Sequence, residues 1–258
     1  MSTFSSFQKK LPNNHPYFFL PISPVSKFSA SIYPPLDKAP PTDSALVQQW
    51  ITEVSESGIT IPNITANVAG GCPANPVAAT DSSRCWWTCG GCTRSTDVTT
   101  CPQKYQWGLT YDDGPAPYTP DLLNYLNQTN LKATFFVVGS RAVSFPGLLQ
   151  QEYLTGHQIA VHTWSHTALT TQSNEQIIAE LGWTRKIMRD VLGVSPTYMR
   201  PPYGDIECVF PVLVWCDTVL MVIQLLSDRV RAISMAMNMY PVMWTRVNAT
   251  ATFDTDGE

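Results

Sequence analysis

Charge is scarce in this chain. Lysine, arginine, aspartate and glutamate supply 14% of its 258 residues, well under the usual quarter of a globular protein. The net charge is −4, so nothing calls for nucleic acid or for an acidic polymer as partner. A neutral, uncharged substrate fits this balance at least as well as anything else. Histidine is scarcer still: His15, His157, His162 and His166 make four in all, and any imidazole chemistry must draw on them. No internal repeat is present. A convincing secretory signal is also lacking, because the apolar run after Lys9 and Lys10 is only YFFLPI, broken by Pro21. A signal needs a longer apolar stretch and a small-residue cleavage site.

What is present suits a folded protein. Hydrophobic residues make up 44% of the chain, and the length fits one large α/β domain with an extension. Residues 1–43 are rich in proline and serine without periodicity, and read as a disordered or loosely attached leader. Residues 44–103 form a Cys-rich extension. It opens with SALVQQWITEVSESG, where Leu46, Trp50, Ile51 and Val54 fall on one side of a short amphipathic helix. Five of the seven cysteines then lie between Cys72 and Cys101. Spacing this close suits a tetrahedral zinc module centred on Cys85, Cys89 and Cys92, or a disulfide-tied loop in an oxidising compartment. The loop-rich setting favours disulfides, as do three glycosylation sequons beginning at Asn63, Asn127 and Asn248. An odd count leaves one cysteine of the cluster unpaired or pairing elsewhere.

From residue 104 onward strands and helices alternate. YQWGLTY reads as a strand that stops at Asp112 and Asp113, and Thr119-Pro120 opens a helix. KATFFVVG is a buried strand by its β-branched and aromatic content. HQIAVHTWSH begins as a strand and ends in polar residues. Ser173 then heads a capping box, and the helix behind it buries Ile177, Leu181, Met188 and Leu192 until Gly193 closes it. Alternation of this kind predicts right-handed βαβ units and a parallel sheet. Active residues in such folds sit at the C-terminal ends of strands, where the Asp pair and the His-rich segment both fall. His162 and His166 have the spacing of one face of a helical turn, able to grip one metal ion. Each motif also has a plain structural explanation: a capped turn for D-D-G-P, solvated histidines, and a rigid loop for R-P-P-Y-G-D. Trp107 and Tyr118 fit a sugar groove or the core equally well.

Taken in order, T-Y-D-D-G-P, H-T-W-S-H and R-P-P-Y-G-D resemble the first three motifs of the polysaccharide deacetylases, carbohydrate esterase family 4. The leader C-W-W-T-C-G-G-C-T-R and the following W-G-L-T-Y-D-D-G-P are similar to fungal chitin deacetylases in particular. The resemblance covers roughly residues 40–206 and resumes at 228. It implies a distorted (β/α) barrel and metal-assisted removal of acetyl groups from chitin or a related N-acetylglucosamine polymer. It also implies Asp113, His162 and His166 as ligands of Zn²⁺, with Co²⁺ as an alternative, and Asp112 as general base. Arg200 would orient that base, Tyr203 would offer its backbone N–H to the oxyanion, and Pro201, Pro202 and Gly204 would stiffen the wall. An extracellular or cell-wall location follows from the family.

Two departures qualify the match. Between R-P-P-Y-G-D-I and D-R-V-R-A-I lies an apolar stretch, residues 207–227, of the kind an intron retained in frame would produce. Glu207, Asp217 and Pro211 argue against a membrane span there, so membrane anchoring is not supported. The end of the chain carries Asp254 and Asp256 but no following Trp, and no Leu-x-His motif. No general acid is found, and His157 reads as structural. The barrel is therefore expected to be incomplete at its C-terminus. Three functional readings follow: a chitin deacetylase, a catalytically defective relative that binds metal and chitin, and a zinc-organised cysteine module.

Overall fold

The computed structural model describes residues 29–81, 84–207, 214–216, 219–221 and 229–245. The extension contributes α1 (Ala45–Glu56) and three short helices, α2 (Gly71–Ala74), α3 (Pro76–Thr80) and α4 (Trp87–Gly90). The alternating region runs β1 (Thr110–Asp112), α5 (Thr119–Gln128), β2 (Thr134–Val137), α6 (Gly139–Ser144), α7 (Pro146–Leu154), β3 (Gln158–Val161), α8 (Asn174–Leu192) and β4 (Tyr198–Met199). After it come β5 (Val214–Cys216), β6 (Val219–Met221), α9 (Arg229–Ala236) and β7 (Tyr240–Pro241).

The main sheet has the order β1-β2-β3-β4-β7, and every pairing in it is parallel. This is the α/β architecture that the alternation implies. Asp112 pairs with Phe136, Phe136 with Ala160, and Val161 with Met199. The residues just beyond β1, β3 and β4 are therefore brought to one level at the C-terminal edge. Among the described residues the sheet is open. Beyond β7 the extension takes a place at the edge, with Val98 donating to Pro241 O at 2.8 Å and accepting from Met243 N at 2.9 Å.

The helix behind Ser173 forms as its sequence dictates. Ser173 accepts from Gln176 N, Gln176 reaches back to the Ser173 N–H, and Gly193 closes the helix at φ 74°. Its buried stripe includes Ile177, Leu181, Met188 and Leu192, all at the centre of the core. In α1 the cap is Ser44, and Val47, Trp50 and Val54 turn inward. Trp50 lies flat over Gly182 of α8, where an added Cβ would sit 2.2 Å from the indole.

Three expectations change. The strand expected over YQWGLTY is limited to Thr110–Asp112, preceded by one further bond from Thr134 N to Leu109 O at 3.0 Å, while Tyr105 and Trp107 are exposed. The leader expected to be loose is docked over its described part, residues 29–43. Tyr33 is buried and stacks on Trp164, Pro35 O accepts from the Trp164 indole at 3.1 Å, and Asp37 accepts from Ser140 at 2.8 Å. Residues 1–28, with His15, lie outside the described residues. The zinc-organised cysteine module is also overturned. Disulfides join Cys72 to Cys89 and Cys85 to Cys92, and a sulfur held in a disulfide is no thiolate ligand. Cys101 has no disulfide partner among the described residues.

Most of the 207–227 stretch lies outside the described residues, as does the tail with Asn248, Asp254 and Asp256. Within the stretch, β5 and β6 pair antiparallel with each other and not with the main sheet. Glu207 is fully buried, accepts from Arg229 Nη2 at 2.9 Å, and lies in an ion pair 2.9 Å from Arg84 Nη2. One ion pair thus joins the residues on either side of 208–228. Among the described residues no helix is long and apolar enough to cross a membrane.

Candidate active site

At the C-terminal edge of the sheet the three motifs meet. Asp113 follows β1, His162 follows β3, and Arg200 follows β4. Asp113 Oδ1 lies 3.3 Å from His162 Nε2 and 3.0 Å from His166 Nε2. These three side chains form a cluster whose ligand atoms lie within 4.8 Å of one another.

The histidines come together without a helical turn, contrary to what their spacing suggests. Residues 162–166 form an irregular loop in which Thr163 and His166 both take positive φ, 64° and 58°. Positive φ in a β-branched residue is costly and persists only where the surroundings enforce it. Here Thr163 Oγ1 accepts from His166 N at 3.1 Å. Behind the loop, the buried Glu180 of α8 accepts from Trp164 N at 2.7 Å, Ser165 N at 2.9 Å and Ser165 Oγ at 2.5 Å. Burial pushes the Glu180 carboxyl upward in pKa, and these donors pull it back. Nothing in the motif itself points to Glu180; it sits at a core-facing position of an amphipathic helix.

The donor set fits a metal ion. His162 Nδ1 lies 2.7 Å from Arg200 O, and a carbonyl only accepts, so the Nδ1 proton is committed there. A neutral His162 then presents a lone pair at Nε2 towards a carboxylate oxygen. Asp113 Oδ1 is buried and accepts no hydrogen bond. Acceptors that face one another at this range need a shared cation, and one carboxylate with two imidazoles is a usual set for zinc. His162 and then His166 hold the Asp113 carboxyl far below the usual carboxylate range when they are protonated.

Asp112 points to a different partner. Its Oδ1 accepts from Arg200 Nη1 at 2.7 Å, while its Oδ2 lies 3.9 Å from His162 Nε2. Arg200 is buried, donates also to Thr110 Oγ1 at 2.9 Å and Val242 O at 3.3 Å, and lies 4.0 Å over the Phe136 ring. Tyr203, at φ 59°, sets its exposed ring against His166 with centroids 4.8 Å apart. Gly204 is pinned at φ +62° under Trp87, where a Cβ would come within 2.3 Å of the indole. Pro201 and Pro202 are buried beside it.

Elsewhere the expected residues scatter. His157 is buried at the opposite end of β3, accepts from Ala133 N at 3.2 Å and packs edge-on to Phe135. Burial, with Lys132 nearby, keeps its pKa below the ordinary value. It takes no part in the site. Asn63 and Asn127 are exposed. Tyr118 is exposed as well, beyond the D-D-G-P corner.

The polysaccharide deacetylase family model matches residues 99–210, a range that includes all three motifs. Chitin deacetylase 1 of Cryptococcus neoformans var. grubii is 49% identical over 239 residues, 92% of this chain and 46% of that protein. A chitin deacetylase of Amylomyces rouxii is 37% identical over 172 residues, 64% of this chain and 36% of that protein. The solved structure of the chitin deacetylase from the fungal pathogen Colletotrichum lindemuthianum aligns at 28% identity and a TM-score of 0.45, over 57% of this chain and 59% of that one. The chain spans less than half the length of these two curated relatives. With the three motifs gathered at one strand-end site and the family match running through them, the chain carries a polysaccharide deacetylase domain over residues 99–210.

Proposed function

We propose that this chain removes acetyl groups from chitin or a closely related N-acetylglucosamine polymer, by metal-dependent hydrolysis. The observation that carries the reading is the Asp113–His162–His166 cluster beside a second carboxylate, Asp112, held by a buried arginine. Relatives named as chitin deacetylases support the substrate class. The low charge of the chain suits a neutral polymer. Two disulfides support an oxidising location such as the cell wall or the extracellular space.

A divalent ion on Asp113, His162 and His166, zinc by its donors or cobalt in its place, supplies Lewis acidity towards water and the amide carbonyl. The chain's own groups do the rest. Arg200 occupies Asp112 Oδ1 and fixes the orientation of that carboxylate. Asp112 Oδ2, on the side of the ligand cluster, takes a proton from the attacking water. The Tyr203 N–H stabilises negative charge on the carbonyl oxygen. The C–N bond then breaks, acetate leaves, and the amine takes up a proton. The buried His157, at the opposite end of β3, is not its donor.

The test is acetate release from a soluble chitin oligomer after chelation, with zinc or cobalt restored, beside Asp112→Asn. Release that returns with metal and disappears in the variant supports the proposal. A folded, metal-loaded chain that releases none is instead a catalytically defective relative.

A further inference from the structure

We infer that the cystine-tied loop Cys85–Cys92 of the extension is a positioning element for the reaction, clamping residues 203–206 of the site wall. The inference rests on the proposed deacetylation for its chemistry, but not for its geometry.

Between Cys85 and Cys89 stand Trp86, Trp87 and Thr88, and each of them grips the R-P-P-Y-G-D-I segment. The Trp86 indole donates to Asp205 Oδ1 at 2.7 Å. Trp87 N donates to Ile206 O at 3.0 Å. Thr88 Oγ1 donates to Gly204 O at 3.1 Å. The Trp87 ring fills the space over Gly204 and meets Trp244 edge-on at 4.4 Å, and Trp244 in turn lies 5.9 Å from the Arg200 guanidinium. From the other side Asp205 accepts from Thr170 N and Oγ1, each at 2.8 Å. The carboxylate is thus a pin between the extension and the domain.

The disulfides hold the clamp in shape. Cys85–Cys92 closes the loop on itself, and Cys72–Cys89 anchors it to α2. By contrast, the metal ligands are held elsewhere. His162 N bonds to Val137 O at 2.9 Å, Arg200 N to Val161 O at 2.8 Å, and Glu180 caps the 163–166 loop. The loop from the extension therefore governs the Tyr203 N–H more than the ligand cluster. Interactions felt only in the transition state lower kcat and kcat/KM together.

Three changes test this: Trp86→Phe, which removes the N–H donor with the five-membered ring that carries it; Cys85→Ser with Cys92→Ser; and Thr88→Val, the mildest, which removes only the hydrogen bond to Gly204 O. Amide hydrogen exchange over 203–206 and over 159–162, zinc affinity by competition with a chromophoric chelator, and acetate-release kinetics are measured on each. Exchange at 203–206 is expected to speed at least about tenfold in the first two, with 159–162 unchanged and zinc affinity within about threefold. Turnover should fall about tenfold or more at constant KM, since misplacement by about 1 Å can cost about a hundredfold. Unchanged exchange at 203–206, or zinc affinity that falls in step with turnover, would overturn the inference. A parent chain that binds zinc but releases no acetate defeats the proposed function instead, while exchange and zinc affinity still decide the clamp.

Discussion

The two carboxylates of the D-D-G-P corner face different partners. Asp113 looks into two imidazoles and Asp112 is held by Arg200, so the adjacent carboxylates are turned to separate surroundings. Asp112→Asn should retain zinc and lose about 10²–10⁴ in turnover, the usual range for a positioned acid–base group. Asp113→Asn should lose zinc affinity itself, and calorimetric titration with zinc separates the two. Glu152 carries a different signal. It is fully buried on α7 with neither oxygen bonded, 3.8 Å from where a Cβ on Gly114 would stand. Burial pushes its carboxyl up to about 8. The folded state then holds a proton that the unfolded chain releases near 4.5, so stability falls as pH rises from there towards 8. Glu152→Gln should flatten that decline, read from Tm measured at pH 5 and pH 7.5.

At the scale of elements, α8 does two jobs from one helix. Its apolar stripe fills the core, and Glu180 on the same buried side holds the loop that carries His166. The loop's left-handed residues persist because this carboxylate gathers three donors around them. Glu180→Ala should weaken zinc binding by about 10–100-fold, the usual effect of losing support behind metal ligands. Glu180→Gln, which keeps an acceptor, should recover part of it; chelator competition on both variants is the measurement. The short β1 illustrates the same dependence on neighbours. Strand-like residues run back to Tyr105, yet pairing with β2 begins only at Leu109 O, which accepts from Thr134 N, and the strand register starts at Thr110.

For the whole molecule, the extension and the alternating region share one core. Trp50 packs on Gly182, and the buried Arg231 of α9 pairs with Asp97 at 2.8 Å. Glu207 draws together Arg84 from the extension and Arg229 from α9. All three residues are buried or nearly so, and removing one member of such a cluster strands the others without compensation. Glu207→Gln should therefore cost about 3–5 kcal/mol, measured by urea unfolding. The same pair closes the two ends of 208–228 against each other. That stretch begins and ends at one point of the fold.

Local chemistry was enough to determine α8 and its caps, the buried β2 strand, the parallel sheet, and the strand-end placement of Asp112, Asp113 and His162. Those features follow from periodicity, capping and alternation, which act over a few residues. Tertiary structure decided the rest. It alone set the non-helical loop joining His162 to His166 and the docking of residues 29–43. It alone brought Trp86, Trp87 and Thr88 onto Asp205, Ile206 and Gly204, contacts more than a hundred residues apart in the chain. Contacts so distant leave no period or spacing in the sequence, because their energy comes from burial and pairing that exist only after the chain has closed.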